Sequence, residues 1–245
     1  MTKLYEAQNY ILIHTDYADP EAHRHMAAHI ILGLEDIVTV NSNNDMYQGK
    51  GIMIPVGVSH AVDTKGKPVL VFLYDSTTEV AKQISQLQTI DNDVCDKIAS
   101  LYQKFVNGSN EYHAFEQELL VLLELPIDGC LTSAETDERI TAAKQYIRSM
   151  ASEPISCRSV ADEVYMSESR FSHLFRQKTG MTFSTYLIYQ RLMSAYTEIF
   201  LGNSITEAAL KAGFSSSAHF ADVNRRVFGL PASRITKNLS YIKIK

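Results

Sequence analysis

Four short runs in the first third of the chain are apolar throughout or nearly so: "YILIH" (10–14), "DIVTV" (36–40), "GIMIPV" (51–56) and "VLVFLY" (69–74). They are rich in β-branched and aromatic residues, and "DYADP", "NSNND" and "DTKGKP" between them carry turn chemistry. Short strands at this spacing predict a small β sandwich or barrel over residues 1–75. Beyond Asp75 the character becomes helical in "TTEVAKQISQLQ", "DNDVCDKIASLYQKFV" and "EYHAFEQELLVLLEL", which predicts a helical segment over 76–126. The last of these places Phe115, Leu119, Leu122 and Leu123 on one stripe, widened by Leu120 and Leu125. So broad an apolar face is covered either by the chain's own β domain or by a second copy. In the latter case those four residues form a homodimer interface. "LPIDGCLTSAETD" breaks the pattern, with a linker at 127–136, and 137–240 reads as helical almost throughout.

The helical part contains a doubled pattern. "SVADEVYMSESRFSHLFRQKTG" (159–180) and "SITEAALKAGFSSSAHFADVNRRVFG" (204–229) match at Ala161 and Ala209, Ser167 and Ser215, Phe171 and Phe220, Leu174 and Val223, and Gly180 and Gly229. This register puts one extra residue between serine and phenylalanine in the second copy. Each copy reads as a short amphipathic helix, a tight turn, a capping serine and a longer helix, the anatomy of a helix-turn-helix. In the first copy Phe171, Leu174 and Phe175 fall at i, i+3 and i+4 and face a core, leaving Ser169, Arg170, Ser172, His173, Arg176 and Gln177 outward. In the second, Phe220, Val223 and Val227 face inward, and Ser216, Ser217, His219, Asp222, Arg225 and Arg226 lie outward or at the cap. Arginine on such a face pairs with guanine or neutralises phosphate, and Ser167 helps present helix N-terminal N–H groups to phosphate. "FSTYLIYQRLMSAYTEIFLG" reads as one helix of roughly 27 Å, long enough to set two recognition helices about one DNA turn apart.

Charge sharpens this division. Up to Ala134 there are 8 Lys+Arg against 18 Asp+Glu, whereas from Glu135 onward there are 15 against 10. An acidic front and a basic back imply that only the back half meets a polyanion. Three scattered cysteines, no run of about eighteen apolar residues and no signal-peptide pattern fit a reduced, cytoplasmic chain without a membrane partner.

The last hundred residues resemble the DNA-binding domain of the AraC/XylS family of transcription regulators. The resemblance rests on "DERITAAKQYIRSM", on Arg191 with Ala195, and above all on "GFS" followed by "HF" and "FG" in the second copy. It implies recognition helices at Glu168–Lys178 and Ser217–Phe228. Three positions depart from it: Tyr165 stands where the second copy has Gly213, Asn224 where a phenylalanine matching Phe175 is usual, and Ala232, just after Pro231, where proline is usual. A positive φ at Tyr165 would carry strain, and a buried Asn224 needs partners.

The same resemblance implies an N-terminal cupin barrel followed by dimerisation helices. "GKGIMIPVGVSH" has the spacing of the second cupin motif, with Gly49, Pro55, Gly57 and His60. "HRHMAAH" supplies His23 and His25 as a His-x-His pair, with His29 in the position of the motif's glutamate. On one strand, residues 23, 25 and 29 share a face. With His60 from a neighbouring strand they form a candidate set for a divalent transition metal, or hydrogen-bonding groups for an organic effector. Met26, Met46, Met53, Tyr47 and Phe72 either line a pocket beside them or are plain core.

The expected fold is therefore α+β: a small cupin-like barrel with following helices, then an all-α domain of two helix-turn-helix motifs joined by a long helix. The expected function is sequence-specific regulation of transcription, not catalysis. Double-stranded DNA, a small-molecule effector or metal, a second copy and RNA polymerase are the candidate partners. A metal-dependent cupin enzyme with a helical appendage is the rival reading, though an enzyme has no need of paired DNA-reading motifs. An interaction adaptor that has lost DNA binding is a third, kept open by Asn224 and by acidic Glu168 and Asp222 on the recognition helices.

Overall fold

The computed structural model describes residues 2–7, 10–16, 19–24, 27–76, 78–109, 111–127, 137–179, 181–228, 232 and 239–243. They fall into two compact units, residues 1–130 with 233–245, and residues 131–232.

In the first unit the strands are β1 (Thr2–Glu6), β2 (Tyr10–Asp16), β3 (Asp19–Arg24), β4 (Ala27–Gly33), β5 (Val38–Ser42), β6 (Asp45–Gly49), β7 (Gly51–Ile54), β8 (Ser59–Asp63), β9 (Pro68–Asp75), β10 (Gln88–Ile90) and β11 (Leu239–Lys243). Its helices are α1 (Glu79–Gln83), α2 (Asn92–Val106) and α3 (Tyr112–Leu122). One sheet has the order β10-β7-β4-β9-β2-β1-β11 and the other β3-β8-β5-β6. The unit is a mixed α and β fold with two sheets, and it has more strands than the apolar runs alone revealed.

β9 sits between β4 and β2 in the larger sheet, with Phe72 opposite both Ile30 and Leu12. These three, with Tyr10, Ala28, Leu32, Leu70 and Tyr74, form one face of the sheet and pack with α1–α3 in a single core. The alternate residues Ile11, Ile13, Ile31 and Leu73 are buried too. Strands buried on both faces read as unbroken apolar runs, which is why "VLVFLY" and "YILIH" stood out.

The stripe on α3 belongs to this core. Phe115 and Leu119 are fully enclosed, Leu120 and Leu123 are buried, and Leu122 packs partly against them. Phe115 stacks on Phe72 and Phe105, with ring centroids 6.4 and 5.4 Å away. The chain's own sheet thus covers Phe115, Leu119 and Leu123, and the dimer face assigned to them is corrected. The exposed apolar residue of α3 is Val121. The larger sheet and the helical segment share one core, so residues 1–75 and 76–126 are not separate domains.

Three further expectations change. The helix read over "TTEVAKQISQLQ" stops at Gln83, and Gln88–Ile90 instead extends the sheet by pairing with β7. An open strand edge offers main-chain partners that outweigh weak helix propensity. The histidine run is not one strand: His23 lies on β3 in the smaller sheet and His29 on β4 in the larger, while His25 lies outside the described residues. Of the pocket candidates, Phe72 and Met53 are core and Met46 is largely exposed, with Met26 outside the described residues.

The second unit is all-α: α4 (Glu138–Met150), α5 (Cys157–Glu163), α6 (Glu168–Thr179), α7 (Phe183–Phe200), α8 (Ile205–Lys211) and α9 (Ser217–Phe228). The unit ends at Ala232 rather than near 240, because Leu239–Lys243 is a strand of the first unit. No described helix is long and apolar enough to cross a membrane.

Phe115→Ala should destabilise the first unit by about 3–5 kcal/mol, the usual cost of emptying a buried phenylalanine site. Urea unfolding followed by tyrosine fluorescence measures it. A loss under 1 kcal/mol accompanied by dissociation of a dimer in light scattering would return Phe115 to an interface.

Candidate nucleic-acid interface and histidine cluster

The two motifs repeat in cap and turn geometry. Ser156 caps α5 by accepting from the Ser159 N–H at 3.0 Å, and Ser204 caps α8 by accepting from the Glu207 N–H at 3.2 Å. Both are reciprocal capping boxes, closed from the other side by the Ser159 and Glu207 side chains. Both short helices end in a left-handed residue, Tyr165 at φ 55° and Gly213 at φ 84°. The next N–H returns to the helix, from Met166 to the Ala161 carbonyl and from Phe214 to the Ala209 carbonyl, each at 2.9 Å.

The register then shifts. Ser167 accepts from the Arg170 N–H at 3.4 Å and starts α6, whereas Ser216 accepts from the His219 N–H at 3.1 Å and starts α9. Ser167 therefore corresponds to Ser216, not to Ser215. The extra residue is Ser215 itself, in the turn, where its hydroxyl lies 3.0 Å from His219 Nδ1. The sequence comparison misplaced it because either of two adjacent serines could cap.

Tyr165 and Gly213 meet different surroundings. A Cβ on Gly213 would lie 2.8 Å from the Ser152 carbonyl oxygen and 3.0 Å from Arg191 Nε, so glycine is required by space as well as by φ. The Tyr165 side chain is 98% exposed, so only the backbone term opposes it there. Arg191 holds this region together, donating from Nε to the Ala151 carbonyl at 2.8 Å and from Nη2 to the Glu153 carbonyl at 3.1 Å. It reaches from α7 to the bend between α4 and α5, a structural role.

α7 serves both cores. Near its start Tyr186 packs edge-on to Phe175, centroids 5.5 Å apart, within the cluster of Phe171, Phe183 and Ile147. Ten residues on, Tyr196 packs on Phe220 at 6.1 Å, and its hydroxyl donates to Asn224 Oδ1 at 2.5 Å. Asn224 is fully buried, as the repeat implied, and its need for a partner is met. Burial holds the Tyr196 hydroxyl well above its ordinary pKa, so it remains a donor. α7 is 18 residues long, about 27 Å.

With the cores filled, the outward faces are as the spacing required. Ser169, Arg170, Ser172, His173, Arg176 and Gln177 on α6 are exposed, as are His219, Arg225 and Arg226 on α9. Ser167 and Ser216 are exposed at the caps, and Ser217 is half-buried. Arg226 pairs with Asp222 one turn earlier, at 2.6 Å. An exposed i,i+4 pair contributes only tenths of a kcal/mol, so a phosphate can compete for that guanidinium.

Comparison with known proteins agrees with this geometry. The helix-turn-helix domain family matches residues 160–238. The "HTH-type transcriptional activator RhaS" of Yersinia pestis (strain Pestoides F) is 29% identical over 116 residues, 46% of this chain and 42% of that protein. The chain thus matches less than half the length of that relative. The "Probable transcriptional regulator LumQ" of Photobacterium leiognathi is 24% identical over 225 residues, covering 86% of this chain and 90% of LumQ. The chain thus carries a helix-turn-helix domain over residues 160–238. Its two-unit fold is also that of ToxT from Vibrio cholerae O395, with a TM-score of 0.58 at 12% identity over 94% of this chain and 98% of ToxT. ToxT of strain SCE256 has also been solved with an unsaturated fatty acid bound.

In the first unit the histidines form a second polar cluster. His23 on β3 stands directly opposite His60 on β8, ring centroids 4.8 Å apart. His29, from the larger sheet, meets the same His60 ring at 5.2 Å. His29 and His60 are buried, and His23 is half-buried. His60 Nδ1 donates to the Val58 carbonyl at 2.8 Å, which makes Nε2 the acceptor of the neutral ring. Burial lowers the His60 pKa to about 4, so the ring is neutral at pH 7. The three rings therefore converge from two sheets, not along one strand. Among the described residues no set of three His, Cys, Asp or Glu is placed to hold a metal ion. The histidines described do not by themselves fit one.

Asn224→Phe, which copies Phe175 of the first motif, should lower stability by about 2–4 kcal/mol. It overfills a fully buried position and removes the acceptor of the Tyr196 hydroxyl's bond. Adding Tyr196→Phe should recover part of the loss, since both polar groups then leave together. Urea unfolding of the two variants decides it, and a more stable Asn224→Phe protein would contradict the buried pair.

Proposed function

We propose that the chain is a sequence-specific DNA-binding transcription regulator of the AraC type, acting on double-stranded DNA as a homodimer under the control of a small-molecule effector. RNA polymerase is the further partner this role implies. The supporting observation is the pair of serine-capped twelve-residue helices, α6 and α9, each anchored by phenylalanine and each exposing arginine and histidine. One helix, α7, carries both cores, so the two readers form one body suited to successive major-groove segments. Ser167, Ser169, Arg170, Ser172, His173, Arg176 and Gln177 are the proposed DNA contacts of the first motif. Ser216, Ser217, His219, Arg225 and Arg226 are those of the second. The relatives named above are regulators, in line with a binding protein rather than an enzyme.

In the sensor unit we assign effector recognition to the polar cluster of His23, His29 and His60, which can hydrogen-bond an organic ligand where the two sheets meet. ToxT, which shares the fold, binds such a ligand in one of its solved forms. The second copy meets a surface other than the buried α3 stripe.

The fragment beginning at Asp137 should bind duplex DNA with a log–log salt slope near −5, if about six phosphates are neutralised. Arg170→Ala and His173→Ala should each cost ~1–3 kcal/mol on a specific site and less on random duplex. Fluorescence anisotropy across a salt series measures both. A folded fragment without affinity at low salt removes the DNA-binding reading, and equal losses on both duplexes reduce the two residues to backbone contacts.

Zinc chloride should leave the melting temperature of the full chain unchanged, because the described histidines make no three-donor set. A rise of several degrees, lost in both His23→Ala and His60→Ala, would instead make the cluster a metal site, completed by His25.

A further inference from the structure

We propose that the outer edge of β1 is a strand-acceptor site, that its ligand is the chain's own segment Leu239–Lys243, and that occupying it restrains the DNA-binding unit. The second half of this proposal rests on the DNA-binding reading above.

β11 pairs with β1 in parallel over its whole length, from Thr2 opposite Leu239 to Glu6 opposite Lys243. On its other side β1 is held antiparallel by β2, so β11 takes the outermost place in the seven-stranded sheet. It is the parallel strand among the described pairings, the rest of which are antiparallel. Parallel neighbours need a crossover connection, and here that connection contains the entire second unit.

β11 is an edge strand, with β1 on one side. β1 contributes Leu4 and Tyr5 to the buried interior, whereas Ser240 is half-buried and Ile242 exposed. A strand paired on one side lies toward the low end of local stability and opens before the core does. Without it, β1 presents unpaired N–H and C=O groups, a template for another strand.

Its position in the chain gives docking a consequence. α9 ends at Phe228 and β11 begins at Leu239. Eleven peptide steps span at most about 40 Å. With β11 docked, the helical unit is tethered to the sensor at both ends. With β11 released, it is tethered only through the segment before Asp137. Seating α6 and α9 in successive grooves requires the unit to orient freely, so docking lowers the fraction competent to bind DNA and raises the apparent Kd by that factor.

Lys3 and Ser240 stand opposite each other in the register. The test is a Lys3→Cys/Ser240→Cys variant of the full chain, with Cys130→Ser and Cys157→Ser to prevent mispairing. Mild oxidation should give an intramolecular disulfide on a non-reducing gel. It should also weaken binding to duplex DNA five- to tenfold, and reductant should restore it. A chain ending at Asn238 should bind DNA at least as tightly as the reduced full chain. Failure to cross-link overturns the acceptor site, and cross-links between chains assign it to a second copy's strand instead. An intramolecular cross-link with unchanged DNA affinity overturns the restraint. If the reduced protein binds no DNA, the DNA-binding reading and the restraint fail together, while the cross-link yield still reports on strand docking.

Discussion

Burial of both faces of the central strands is the constraint on which the first unit depends. β9, β2 and β4 carry apolar residues on both faces, so neither face can be left to water. One is covered by α1, α2 and α3, which is why the stripe on α3 is consumed within the chain. Facing the other way, His29 meets His60 from the second sheet. A buried polar cluster is costly unless it is neutral and hydrogen-bonded. The His60 ring satisfies both conditions, through its depressed pKa and its bond to the Val58 carbonyl.

In the helical unit the corresponding element is α7. It lends a tyrosine to each core and, through Arg191, clamps the bend that begins the first motif. The two copies have diverged around this shared helix. The first fills its core with Phe175 against Tyr186, and the second replaces that contact by the hydrogen bond between Tyr196 and Asn224. An asparagine that looks like a defect in the sequence is one half of a satisfied pair. A buried polar pair contributes less by net stability than by the alternatives it excludes, since any packing that separates its members breaks a buried hydrogen bond.

The helical unit was legible because its signals are local. Phe171, Phe175, Phe220 and Val223 recur at helical spacing, so the outward arginines and histidines follow by elimination, and α6 and α9 lie where that spacing put them. The one local error, Ser215 for Ser216, came from two adjacent serines of equal chemistry. Only the main-chain N–H of His219 shows which of them caps the helix.

What the sequence by itself determined is what depends on neighbours three or four residues away: helices, caps, turns and the face each helix presents. Tertiary structure alone decided which surface covers an apolar face, since Phe115 and Leu119 look the same whether a sheet or a second copy lies over them. It decided that His23 and His29 reach His60 from different sheets, because convergence depends on strand order and not on spacing. It also decided that Leu239–Lys243 is a strand of the first unit. Five residues of mixed character carry no signal for a pairing partner more than two hundred residues away, and the open edge of β1 supplies it.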